Sequence, residues 1–424
     1  MTKIFIKNVR VFESEVIRDA GNVVFTRSAG NVQDPMADAS EAETSDYVVD
    51  GRGCTLLPGF IDTYANIKGA NAALGAFASH GVTTVVDLSS STQQCQALRV
   101  YAAGRTGLPT FFTSGTEAVP AKDYQPQLYD SSYEFVIRTR EDAVTYVSGK
   151  ASGPDQADFI KVAVDIHSLT DEILKTIVDA AHAQGKLTIA RTAGKTSYER
   201  AMLAGFDIFA HAPLDAALGP AMAREMAAQG KVFVPTLTMM LRCAMAHESD
   251  NSTATTTDTS ERDRPFGIPL QRRDVVDDDG ANRDHDDNLA DLGSRQYINT
   301  SATAGGDYGN ATATVRTLHD AGVTICAGTT ANLIPGAEIP FGESLHEELR
   351  LLVDAGMPRL DVLRSATCVA AKAFRLSDRG IVRGGLRADL VLVEGNPLED
   401  INVTRNIKKI WIQGEEVDPV NIVE

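Results

Sequence analysis

The chain has 424 residues, 43% hydrophobic and 6% aromatic, which is enough to bury a sizeable core and excludes disorder as the overall state. Its 57 acidic residues outnumber 40 Lys and Arg, and the formal charge of −17 excludes a broad basic face for nucleic acid or an anionic membrane surface. Five cysteines (Cys54, Cys95, Cys243, Cys326, Cys368) lie far apart without a C-x-x-C pair, which argues against a disulfide framework or zinc ribbon and for a reducing compartment.

The chain opens with MTKIFIKNVRVF, which alternates apolar and polar residues as a strand does and lacks the basic head and apolar core of a secretion signal. No run approaches the roughly 18 apolar residues of a membrane span, so a cytoplasmic protein is expected. From Thr55 to Gly328 a unit recurs: a short β-branched or apolar run, a turn, then a stretch rich in Ala and Leu with helical spacing. The runs are TLLPGFID (55–62), VTTVVDL (82–88), LPTFFTS (108–114), DFIKVAV (158–164), KLTIAR (186–191), DIFAH (207–211), KVFVPT (231–236) and GVTICAG (322–328). In LTDEILKTIVDAAHAQG, Thr170 reads as an N-cap with Asp171 and Glu172 in the first turn. Strands alternating with helices require a parallel sheet with right-handed crossovers, and eight repeats predict an α/β fold, a (β/α)8 barrel, over 58–375. An open doubly wound sheet is the alternative.

Residues 1–57 and 376–424 depart from that rhythm and read as short strands between Gly, Asn and Asp turns, which predicts a small β-sandwich built from both chain ends. Between Glu248 and Asp291 stand 13 acidic residues and five arginines, so nearly half of the net charge lies in one polar stretch. We read 248–310 as an insertion or lid that would emerge after the seventh strand, at the face where such barrels carry active sites.

These motifs, taken in order, resemble the amidohydrolase superfamily, in particular its imidazolonepropionase-like and prolidase-like branch. GCTLLPGFID, GVTTVVDL, DFIKVAV, IVDAAHAQGKLTIARTAG, AGFDIFAHA and AGVTICAGTT look like the family's first, second, fourth, fifth, sixth and eighth barrel segments. SLHEELRLLVDAG, SATCVAAKAF and RGIVRGGLRADLVLVEGNPLED look like its C-terminal helices and the return to the β-sandwich. The resemblance implies one or two divalent metals held by an H-x-H pair on the first strand, a carboxylated Lys or an acid on the fourth, His on the fifth and sixth, and Asp on the eighth. At those positions this chain carries Tyr64 and Asn66, Lys161, Arg191, His211 and Thr330. Only Lys161 and His211 match.

A zinc-type ion needs about three converging protein donors and a water. One imidazole beside Lys161 and Arg191 does not supply them, and two unit charges about 4 Å apart repel by roughly 4 kcal/mol at an effective dielectric of about 20. The expectation is therefore a metal-free, cationic pocket with no cofactor. Lys161, His211 and Tyr64 are the candidates for proton transfer, with Lys161 as base or imine-forming amine and Tyr64 as acid or oxyanion donor. Arg191 would hold a carboxylate or enolate, with Asn66, Thr330, Asp165 and His167 also binding substrate. Each has a plainer alternative: a salt bridge for Arg191, occlusion of the emptied cavity for Tyr64, a loop-stabilising bond for Asp165 and His167.

The function expected is metal-independent ring closure, ring opening, isomerisation or elimination on a small molecule. Two alternatives stand beside it. One is a hydrolase of non-peptide C–N bonds holding one divalent metal such as Zn on His211, with further ligands drawn from the acidic segment 248–291, where His285 lies among Asp284, Asp286 and Asp287. The other is a non-catalytic binding or scaffold protein. No nucleic-acid or membrane partner is expected; a homo-oligomer is, by analogy with related barrels.

Overall fold

The computed structural model describes residues 2–27, 30–115, 119–120, 136–152, 156–164, 169–253, 306–333 and 338–419. Five strands open the chain: β1 (Lys3–Phe12), β2 (Ile17–Thr26), β3 (Val32–Asp34), β4 (Tyr47–Asp50) and β5 (Cys54–Pro58). The run predicted as one strand over 55–62 is divided. Pro58 lacks an N–H and ends β5, and β6 (Phe60–Ala65) begins two residues on. Gly59 makes the corner because a Cβ there would stand 2.2 Å from Thr83 Oγ1.

Seven of the next nine strands continue the parallel series begun by β6: β7 (Val82–Asp87), β8 (Thr110–Thr113), β11 (Phe159–Ala163), β12 (Leu187–Arg191), β13 (Ile208–Ala210), β14 (Val232–Val234) and β15 (Thr324–Ile325). The short parallel pair β9 (Val119–Pro120) and β10 (Val136–Ile137) falls between β8 and β11. All eight predicted runs therefore contain a strand. They form two parallel sheets, β6-β7-β8 and β11-β12-β13-β14-β15. The sheets meet at two seams through individual backbone bonds. At one, Thr63 N donates to Ala327 O (3.0 Å) and Thr330 N to Tyr64 O (2.7 Å); at the other, Asp158 N donates to Thr113 O (2.7 Å).

Period-two alternation sorts the side chains. Phe159, Leu187, Ile189, Ile208, Ala210, Val232 and Val234 make one buried cluster with Val86 and Cys326. The alternate residues Ile160, Val162, Ala190, Phe209 and Phe233 join the larger cluster with the helices. Helix Asp171–Ala183 adds Ile173, Leu174, Ile177, Val178 and Ala181 to that cluster, and Thr170 caps it as expected, accepting from Ile173 N. Lys161 and Arg191 continue the inward rows of Phe159 and of Leu187 and Ile189, two residues further along.

Strands β16 (Leu390–Glu394), β17 (Ile407–Ile412) and β18 (Glu415–Val417) pair back onto β5. Both chain ends thus share one mixed sheet, ordered β18-β17-β16-β5-β1-β2-β3 with β4 also on β1. Its core includes Val11, Phe25, Leu56, Leu390 and Trp411, with the Trp411 ring edge-on to Phe25 at 5.2 Å. In the polar stretch expected from 248 onward, a helix (Leu237–Thr253) covers the first residues and another begins at Tyr308 (Tyr308–Asp320). The rest of that segment, with Asp284, His285, Asp286 and Asp287, lies outside the described residues. No helix among the described residues is long and apolar enough to cross a membrane.

Candidate active site at the strand ends

Arg191 ends β12, Tyr64 stands one residue before the end of β6, Asn66 and His211 directly follow β6 and β13, Lys161 lies in the middle of β11, and Thr330 lies in the segment after β15. Tyr64, Lys161 and His211 come together. The Tyr64 ring lies 4.9 Å from the imidazole of His211, centroid to centroid, and Lys161 Nζ lies 5.4 Å from the Tyr64 ring centre, within cation–π range. Lys161 Nζ donates to Leu88 O at 2.8 Å. All three are buried, with exposures of 1% for Tyr64, 3% for Lys161 and 2% for His211, whereas Arg191 is half-buried.

His211, Thr236 and Thr330 follow β13, β14 and β15, and each has a positive φ (+77°, +50° and +61°). A non-glycine residue in this region costs about 1–2 kcal/mol, and three at neighbouring strand ends is a concentration of strain of the kind found at functional sites. His211 Nδ1 lies 2.7 Å from Thr236 Oγ1. His211 Nε2 and Thr330 Oγ1 are buried with no hydrogen-bond partner among the described residues. Burial holds the His211 pKa well below the ordinary histidine value, and the charges of Arg191 and Lys161 push it the same way, so the ring is neutral.

Buried carboxylates shape the strand-end loops. Asp62 accepts from Tyr64 N (3.1 Å), Thr329 N (3.1 Å) and Thr329 Oγ1 (2.6 Å), and burial pushes its pKa up to about 7. Asp87 accepts from Ile67 N (2.9 Å) and Ser90 N (3.2 Å); burial raises its pKa, opposed by those bonds and by Lys161. Glu348 accepts from Leu237 N (2.8 Å), Thr238 N (2.7 Å) and Thr238 Oγ1 (2.8 Å), and burial lifts it to about 7.

Sequence reasoning did not single out Asp62, Asp87, Thr236 or Glu348. Glu348 left a signal: it sits between Leu345, Leu349 and Leu352 on the apolar stripe of its helix, where an unpaired acid would be costly. Asn66 is buried, its N–H bonded to Ala331 O at 2.8 Å. Asp165 and His167 lie outside the described residues. His346 is buried against Thr404 Oγ1 (3.1 Å) and His80 O (3.0 Å). Cys326 is buried in the core.

The amidohydrolase family model matches residues 55–417. The chain belongs to the amidohydrolase family. It is 25% identical over 403 residues to an imidazolonepropionase of Streptomyces griseus, covering 90% of this chain and 86% of that protein. Its fold is that of a Xaa-Pro dipeptidase crystallised with bound methionine (TM-score 0.75, 20% identity, 98% of this chain and 99% of that one). It is equally that of the A. niger ochratoxinase (TM-score 0.70, 16% identity, 99% and 96%). Amidohydrolase family members of this kind act on small molecules, and this chain is an amidohydrolase-like enzyme in that coarse sense.

Proposed function

We propose that this family member works without a metal, by acid–base chemistry on a small anionic or carbonyl-bearing molecule, in ring closure, ring opening, isomerisation or elimination. The observation that carries the reading is a buried imidazole against the Tyr64 ring, its Nε2 unengaged among the described residues, with its pKa held down by burial and by the charges of Arg191 and Lys161.

The donor set does not fit a divalent ion. His211 brings one nitrogen, and its charged neighbours Lys161 and Arg191 repel a cation. The buried carboxylates have their oxygens turned to backbone and hydroxyl donors. Among the described residues no three His, Cys, Asp or Glu side chains gather as a metal site would need.

In this reading the substrate's anionic group sits against Arg191, and His211 Nε2 takes a proton from a carbon, oxygen or nitrogen of the substrate. Tyr64 or Lys161 returns a proton to the oxygen or nitrogen where negative charge collects, so an isomerisation leaves the proton count unchanged. Asn66 and Thr330 orient the carbonyl. The eight strands would close as one barrel around this site, with residues 1–57 and 376–424 as its companion domain. The names of the relatives favour the alternative of a C–N hydrolase, and the burial of Tyr64, Lys161 and His211 favours a non-catalytic barrel filled by Tyr64.

A screen of lactams, cyclic imides and keto acids on chelator-treated protein separates these. Turnover that survives chelation and falls at least about 100-fold in His211→Gln and Lys161→Met supports the proposal. Turnover that returns only with added zinc contradicts it, and ligand binding without turnover supports a non-catalytic binding protein.

A further inference from the structure

The helix Leu237–Thr253 is capped from elsewhere in the chain. Thr236 occupies its N-cap position, since its carbonyl accepts the first helical bonds, from Met239 N and Met240 N at 3.0 Å each. A threonine there ordinarily turns its hydroxyl to the N–H of the second or third helical residue. Here the Glu348 carboxylate, from helix Glu343–Asp354, takes that place and accepts the N–H groups of Leu237 and Thr238. The Thr236 hydroxyl is released from the helix. It lies 2.8 Å from Pro235 O and 2.7 Å from His211 Nδ1. A carbonyl only accepts, so with the single hydroxyl proton directed to Pro235 O, Nδ1 is the donor in the second bond. The lone pair is then on Nε2, which is buried and has no partner among the described residues.

We infer that Thr236 and Glu348 are positioning residues for His211: Glu348 caps the helix in place of Thr236, and Thr236 holds the imidazole as its Nδ1–H tautomer with Nε2 as acceptor. The inference deepens the proposed function and rests on its reading of His211 as the proton acceptor. It also defines the ligand: whatever meets Nε2 brings an O–H, an N–H or an acidic C–H, and a bare acceptor is rejected.

Nitrogen NMR of the full-length protein labelled at histidine tests this without any substrate, with the His211 signals assigned by their loss in His211→Gln. The expected result is a protonated Nδ1 and an unprotonated Nε2 in the wild type. Thr236→Ser keeps that pattern, Thr236→Val inverts or mixes it, and Glu348→Gln mixes it by drawing the Thr236 hydroxyl back to the helix. A protonated Nε2 in the wild type, or an unchanged pattern in Thr236→Val, would overturn the inference. Should Thr236→Val fail to fold, the wild type and Thr236→Ser still decide. Turnover undiminished in His211→Gln would sink the functional reading and leave the tautomer result standing.

Discussion

His211 sits beside Lys161 and Arg191, two side chains bearing the charge it would itself acquire on protonation. Burial and like charge act in the same direction, so the ring stays neutral through the range where a free histidine, with a pKa of about 6.5, would titrate. Replacing Lys161 with Met removes one of the two repulsions and should raise the His211 pKa, read from the pH dependence of its ring signals. An unchanged titration would mean that desolvation and Arg191 hold the ring neutral without Lys161. At this scale the sequence was partly legible. Tyr64, Lys161 and His211 were singled out because they occupy the positions where the resembled family carries its metal ligands, and the structure brings the three together. Thr236 and Glu348 were not, because their roles are bonds between distant positions: Leu237 and Glu348 are 111 residues apart.

Among the elements, the helices and strands followed from local pattern, whereas their junctions depended on tertiary contact. The split between β5 and β6 is one such junction. Gly328 is another: a Cβ there would stand 2.9 Å from Tyr64 N and 2.7 Å from Val234 Cγ1, a crowding visible only once β15 is set beside β6 and β14. The helix Glu343–Asp354 reaches across to cap the one that follows β14, and its carboxyl carries a pH signature. Glu348 is raised from 4.5 to about 7 in the folded chain, with burial the main cause and Asp62 adding to it. The folded state thus binds the proton more tightly than the unfolded one, and the stability this contributes is fully present below the unfolded pKa and lost as pH rises through about 7. Relative to Glu348→Gln, the wild type should lose about 3 kcal/mol between about pH 4 and about pH 8. Denaturant unfolding across that range measures it, and parallel pH profiles for the two proteins would contradict the assignment.

Over the whole molecule, the eight-fold repeat and the union of the two chain ends were both legible, because each rests on periodicity and on turn residues that the chain displays directly. The ends meet in one mixed sheet, and β16 lies beside β5 although more than 300 residues separate them in sequence. The arrangement of the parallel strands as arcs of three and five was not legible, since it depends on how few bonds join β8 to β11 and β15 to β6. At the strand ends the charges of Lys161 and Arg191 act on the buried imidazole of His211. In the function proposed above, that charge favours an anionic substrate and repels a cation. Elemental analysis of protein purified without chelators tests the point most directly. The account predicts zinc, manganese and iron far below one equivalent per chain; one full equivalent, lost on His211→Gln, would contradict it.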